Sequence, residues 1–220
     1  YDLNEISRRI SSKTSMAFIC NPNNPTGTML SANELEDFCV SNSKKTCLFV
    51  DEAYYDYSIL DGYPTMTKLV KDGHNIIVSR TFSKIYGLAG VRIGYLISST
   101  ERIEELKKCT MAGTNILAAN AAIAAYEESD FFRFSLEKNN EALNYYYDLF
   151  DELNLEYRKS HTNFVFFKTG IHIDKFGETM KQKGVLVGRA FPPYYEWCRI
   201  STGRIEDVKF FGEKLREYFA

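Results

Sequence analysis

No apolar run in this chain is long enough for a membrane-spanning helix, which needs about 20 residues. The opening YDLNEISRRISSK has no apolar core, so it is not a signal peptide. Cysteine is sparse and badly spaced for chemistry. The five thiols, Cys20, Cys39, Cys47, Cys109 and Cys198, are odd in number and include no C-x-x-C pair. That excludes a disulfide framework and a cysteine zinc site, and predicts free buried thiols in a reducing, cytoplasmic compartment. Charge of one sign is also missing. With 27 Lys and Arg against 29 Asp and Glu, the net charge is −2, with no basic stripe or acidic tail. Nucleic acid and membrane are therefore not expected partners. The three histidines, His74, His161 and His172, are scattered and are read as structural or exposed. The G-x-S-x-G, H-E-x-x-H and G-x-x-x-x-G-K-[ST] patterns are absent, and Gly87, Gly90 and Gly94 do not fit G-x-G-x-x-G. No metal site is expected. An initiator Met is lacking too, and the chain opens as though inside a helix, as a fragment or a processed chain would.

What is present is an ordinary core-forming composition, 45% hydrophobic, with generous aromatics: 15 Tyr and 16 Phe. These pack a core, line a pocket or face a subunit interface. MAFIC at 16–20, CLFVD at 47–51, NIIVSR at 75–80 and VRIGYLISS at 91–99 read as strands. Ser31 and Glu34 stand at capping-box spacing and mark a helix start. Near-continuous apolar strands between helices predict an α/β fold, a mainly parallel sheet with helices on both faces. From Asp130 to Leu153 the apolar positions recur at helical spacing without Pro or Gly. Beyond it, NFVFFK (163–168), VLVGRA (185–190) and CRIST (198–202) read as strands, with helices near 174–183 and 204–219. The expected organisation is a large domain over 1–130, a linking helix over 131–153 and a smaller α+β domain over 154–220.

Chemistry in such sheets gathers at the carboxyl ends of strands, and the notable segments lie there. NPNNPTGT (21–28) follows the first strand. It is a rigid turn at the least, and Asn24 could offer its amide to a ligand oxygen. Asp51 opens DEAYYDY at the end of the second strand. It either caps the next turn or pairs with a cationic partner such as a protonated ring nitrogen. In SRTFSKIYGLAGVRIGY (79–95), Lys84 sits among hydroxyls with Arg92 beyond it. A single Lys is ordinarily solvated surface. This one lies in an apolar, Gly-rich run, where a partly desolvated amine becomes a nucleophile for carbonyls. Hydroxyls with an Arg fork make a phosphate cup. Arg199, in WCRISTG, is either a half-exposed strand residue or a bidentate clamp for a carboxylate.

Taken in order, NPNNPTG, DEAYYDY, RTFSKIYGLAGVRIGY and the tail NFVFF…GVLV…CRISTG resemble the class I/II aminotransferases of pyridoxal-phosphate fold type I, and within them the histidinol-phosphate aminotransferase group. The resemblance covers essentially the whole chain. It implies pyridoxal 5′-phosphate held by Lys84 as an imine, with Asp51 pairing the pyridine nitrogen. Tyr54 and Asn24 would bond the ring's phenolic oxygen. Thr81, Ser83 and Arg92 would hold the phosphate, and Arg199 the substrate carboxylate. It also implies a cis Asn24–Pro25 bond, a cytoplasmic homodimer, and transfer of an amino group from an L-amino acid to an oxo acid by ping-pong half-reactions in amino-acid biosynthesis.

Two departures bear on this. The family pattern starts upstream of Tyr1, so the N-terminal part of the family fold is missing from this sequence. The histidinol-phosphate group usually carries an Arg directly after the GVLV-like strand, where Gly188 stands here and Arg189 follows. A one-residue shift in a strand turns a side chain to the other face, which points away from a phosphorylated substrate. Tyr194, Tyr195 and Trp197 then point to a bulkier or aromatic one. An amino-acid decarboxylase of the same fold, or an aminotransferase-like effector-binding domain without catalysis, are the competing readings.

Overall fold

The computed structural model describes residues 1–220, the side chains of Leu60 and Asp61 excepted. The chain divides into two units. One comprises Tyr1–Pro22 and Met29–Phe132, the other Asn23–Thr28 and Arg133–Ala220.

The first unit begins with α1 (Leu3–Arg9), β1 (Met16–Cys20), α2 (Ala32–Asn42) and β2 (Cys47–Asp51). There follow α3 (Thr67–Lys71), β3 (Ile76–Thr81), β4 (Gly94–Ile97), α4 (Thr100–Lys107) and α5 (Ile116–Glu127). Ser31 caps α2 as its spacing predicts, with the Glu34 N–H donating to its Oγ at 3.3 Å. The sheet runs β1-β2-β3-β4. β1 and β2, and β2 and β3, pair parallel, whereas β4 is an antiparallel edge. The expected fourth strand starts later than its apolar pattern. Ala89–Val91 form a 3-10 turn and Arg92 has a left-handed φ of 56°, so ladder geometry begins only at Gly94. One face of the sheet buries Ile19, Leu48, Val50, Ile76 and Val78 against Leu35, Phe38 and Cys39 of α2 and Leu69 of α3.

α6 (Ser129–Glu152) begins in the first unit and continues in the second. The second unit adds β5 (Tyr157–Arg158), β6 (Phe164–Lys168), α7 (Ile173–Gln182), β7 (Trp197–Ser201) and α8 (Ile205–Phe219). Its sheet is antiparallel in the order β5-β6-β7. Strand alternation sends Val165 and Phe167 of β6 and Cys198 of β7 into a core with Tyr146 and Phe150 of α6, Phe176 of α7 and Phe211 of α8. Phe164 and Phe166, on the opposite face, pair in register with Ser201 and Arg199.

The strand expected over 185–190 does not form. The segment passes close to β7, since a Cβ placed on Gly188 would lie 3.4 Å from the Arg199 carbonyl oxygen, yet it joins no ladder. Val185 is buried while Leu186 is 78% exposed, so apolar composition there does not report a strand. The thiol expectation also needs correction at one position. Four cysteines are buried, but Cys109, just past the end of α4, is exposed. Among the described residues no helix is long and apolar enough to cross a membrane.

Candidate active site

In the first unit, parallel pairing sets Asp51 in register with Ser79, so β2 and β3 end at the same sheet edge. Asp51 is half-buried. Its Oδ1 accepts from the Ser79 hydroxyl at 2.8 Å and from the Ala53 N–H at 3.2 Å. It therefore does cap the following turn, and that cap aims the carboxylate. Oδ2 takes no hydrogen bond among the described residues, which leaves one acceptor for a ligand donor.

The opposite face of the same strand ends carries a second pairing that the sequence did not single out. Glu52, 3% exposed, accepts from Arg80 Nε at 2.8 Å and Nη2 at 2.6 Å. The Thr65 hydroxyl and the Met66 N–H also donate to Glu52, and Arg80 lies 3.8 Å from the centroid of the Tyr55 ring. Asp56, 3.7 Å from Arg80, has its carboxyl pushed above the usual range by burial, against the pull of Arg80. Strand alternation thus gives two matched pairs, Asp51–Ser79 and Glu52–Arg80.

Beyond β3, Thr81 Oγ1 accepts from the Ser83 N–H at 3.1 Å, and Arg92 Nη1 donates to Ser83 Oγ at 3.4 Å and to the Ala89 carbonyl at 2.8 Å. Gly94 permits this closure, because a Cβ there would come within 2.7 Å of the Arg80 carbonyl oxygen. No carboxylate pairs with Arg92 among the described residues, so a guanidinium and a hydroxyl stand together with an unneutralised charge. Lys84 is half-buried, its Nζ 4.9 Å from the centroid of the Tyr54 ring, which is itself 4% exposed. Nζ has neither a hydrogen bond nor an ion pair among the described residues. The groups present are a half-buried amine, an aimed carboxylate, and a guanidinium beside hydroxyls. They fit a phosphorylated carbonyl compound carrying a basic nitrogen.

In the second unit, Asn24 Oδ1 accepts from Arg199 Nη1 at 2.7 Å. The Asn21–Pro22, Asn24–Pro25 and Pro192–Pro193 bonds are cis. The other two Asn side chains of the loop are structural. Asn21 donates to the Tyr63 hydroxyl and accepts from the Leu30 N–H, and Asn23 donates to Thr26 Oγ1. Arg199 Nε is buried and has no hydrogen-bond partner among the described residues. A buried guanidinium edge of that kind suits a carboxylate. Arg189 is exposed, donating among the described residues to the Ala190 carbonyl at 3.4 Å, with its Cζ 4.7 Å from the Phe191 centroid. Because 185–190 is not a strand, the face-switching argument for Gly188 and Arg189 does not apply. Tyr194 and Tyr195 are each 45% exposed. His74 and His172 are structural, as Ser43 Oγ lies 2.9 Å from His74 Nδ1 and the Asp174 N–H donates to His172 Nδ1.

Residues 1–214 match the family model for aminotransferase class I and II. The chain belongs to that family. This aminotransferase-family chain is 38% identical over 220 residues to histidinol-phosphate aminotransferase 1 of Bacillus thuringiensis, covering 99% of this chain and 59% of that protein. It therefore spans about three fifths of the length of the curated relatives it matches. A solved histidinol-phosphate aminotransferase from Sinorhizobium meliloti, in complex with pyridoxal 5′-phosphate, superposes with a TM-score of 0.85 at 27% identity, over 99% of this chain and 60% of that one. An L-threonine-O-3-phosphate decarboxylase from Porphyromonas gingivalis shares the fold, with a TM-score of 0.79 at 21% identity over 99% of this chain and 69% of that one.

Ser79, Arg80 and Glu52 escaped the sequence reading. Their signal was available only as strand register, since Ser79 and Arg80 face Asp51 and Glu52 once β2 and β3 are paired.

Proposed function

We propose that this chain carries the cofactor-attachment and substrate-carboxylate residues of a pyridoxal 5′-phosphate-dependent aminotransferase that acts on an L-amino acid and an oxo acid. One observation carries the reading: Lys84, three residues beyond β3 and with no carboxylate partner among the described residues, lies 4.9 Å from the centroid of the buried Tyr54 ring.

When bound, pyridoxal 5′-phosphate supplies an aldehyde and a cationic ring that stabilises negative charge on the substrate's α-carbon. Lys84 Nζ would hold the cofactor covalently. The Lys84 amine would also serve as general base, accepting the proton from the substrate α-carbon. Asp51, aimed by Ser79 and the Ala53 N–H, would pair with the ring nitrogen and keep it protonated. Tyr54 and Asn24 would donate to the ring's phenolic oxygen. Thr81, Ser83 and Arg92 would hold the phosphate. Arg199 binds the substrate carboxylate through the edge not committed to Asn24. The substrate is of the histidinol-phosphate or aromatic type, supported by the likeness to histidinol-phosphate aminotransferases and by the aromatic segment 191–197. The homodimeric state and cytoplasmic location expected from the sequence belong to the same reading.

The test is a titration of the purified protein with pyridoxal 5′-phosphate, followed by absorbance. A saturable yellow band that Lys84→Ala abolishes is the expected result. Loss of that band on adding amino acid, and its return with an oxo acid, marks transamination. Release of carbon dioxide with no need for an oxo acid would instead mark a decarboxylase.

A further inference from the structure

Arg199 lies between two aromatic rings. Its Cζ is 4.9 Å from the centroid of Phe164 and 4.9 Å from that of Phe191. Phe164 belongs to β6 and is 2% exposed, so the core fixes it. Phe191 belongs to no strand and is held by a local closure. The Tyr194 N–H donates to the Phe191 carbonyl at 2.7 Å, and the two residues form a β-bridge. Their rings both stand edge-on to Phe166, at 6.3 and 5.8 Å. Phe166 is the register partner of Arg199. The closure that anchors the Phe191 ring is therefore built on the strand residue opposite the arginine it meets.

A guanidinium is planar and weakly hydrated, and it sits well on ring faces. Its long side chain otherwise samples many rotamers, and ordering them on binding weakens a ligand's affinity. Nη1 is tied to Asn24, Nε is buried, and the two rings limit how the group can move. No carboxylate of the protein holds Arg199 among the described residues, so its orientation rests on the rings and on one amide oxygen.

We infer that Phe191 is a positioning residue for Arg199, and that the Phe191–Tyr194 closure thereby sets the affinity for amino-acid carboxylates. This rests on the carboxylate role proposed for Arg199.

The test compares wild type, Phe191→Leu and Phe191→Trp by two measurements. The first is water exchange of the Arg199 Nε–H in the cofactor-free protein, read by nuclear magnetic resonance and assigned by its loss in Arg199→Lys. Exchange should speed about ten-fold in Phe191→Leu and stay near wild type in Phe191→Trp, because a cation–ring contact at a half-buried site is of about that strength. The second is titration of the cofactor-loaded protein with L-glutamate. Phe191→Leu should weaken binding about ten-fold while cofactor affinity and the rate at saturation change less than about two-fold, the pattern of lost uniform binding. Unchanged exchange and unchanged L-glutamate affinity in Phe191→Leu would overturn the inference. So would a Phe191→Trp variant as weak as Phe191→Leu. A protein that takes up no cofactor would refute the proposed function, while the exchange measurement would still decide whether Phe191 orients Arg199.

Discussion

Arg199 and Asn24 stand 175 positions apart in the chain, and their side chains meet at 2.7 Å. The arginine's Nη1 is the donor and the amide oxygen the acceptor, so Asn24 takes up one edge of the fork and helps aim the other. Asn24→Ala should therefore weaken binding of the amino-acid substrate. A hydrogen bond to a charged group is worth roughly 1.5–3 kcal/mol, so the dissociation constant from substrate titration should rise more than about ten-fold. An unchanged constant would remove Asn24 from the carboxylate site.

The turn that carries Asn24 depends on Gly27. That glycine has φ of 73°, and its carbonyl accepts from the His161 N–H at 2.8 Å. A Cβ added there would lie 2.5 Å from Ser160 Oγ. Gly27→Ala combines left-handed strain of about 1–2 kcal/mol with that clash. Thermal unfolding should show a lower midpoint, and L-amino acid affinity should fall with it as the loop shifts. An alanine variant as stable as wild type would mean that the loop is not tightly seated on Ser160.

Much of this was legible from the sequence, and the gaps have physical reasons. MAFIC and CLFVD became strands with the bounds their apolar runs predict; CLFVD is largely buried, as a continuous apolar parallel strand should be, whereas MAFIC forms the sheet edge and leaves Met16 and Phe18 exposed. Ser31 and Asp51 were readable as a helix cap and a strand-end carboxylate. VLVGRA was misread because apolar residues beside a glycine look alike in a strand and in an extended segment without a ladder. Ser79, Arg80 and Phe191 were not legible at all. Their importance comes from what strand register or ring packing places next to them, and a linear pattern does not contain that.

The Glu52–Arg80 pair gives a stability prediction. Glu52 is 3% exposed and the side chain of Arg80 12%. Removing one member leaves a buried charge without its partner, at a cost of about 3–5 kcal/mol. Arg80→Met should therefore shift the denaturant midpoint far more than Arg92→Met, whose guanidinium is exposed. Equal shifts would show that the buried pair adds little.

Cys39 makes stability depend on alkaline pH. Burial pushes its thiol up to about 12 from 9.0, with Glu52 and Glu36 adding to the rise. Between those values the unfolded chain releases the proton and the folded chain keeps it, so stability falls as pH rises. In Cys39→Ala the fall from about pH 9 to 12 should be shallower, as read by denaturant titration across that range. A matching slope in the variant would assign the alkaline loss to other groups. Iodoacetamide at mild pH should modify Cys109, which is exposed, well before the four buried thiols.

The central claim is that Lys84 is the covalent attachment point for pyridoxal 5′-phosphate. The most direct test is borohydride reduction of the cofactor-loaded protein, followed by proteolysis and mass measurement of the peptides. The account predicts a reduced pyridoxyl adduct on the peptide containing Lys84 and on no other lysine, and none in Lys84→Ala. A loaded protein whose adduct maps to a different lysine, or that yields no adduct, would contradict it.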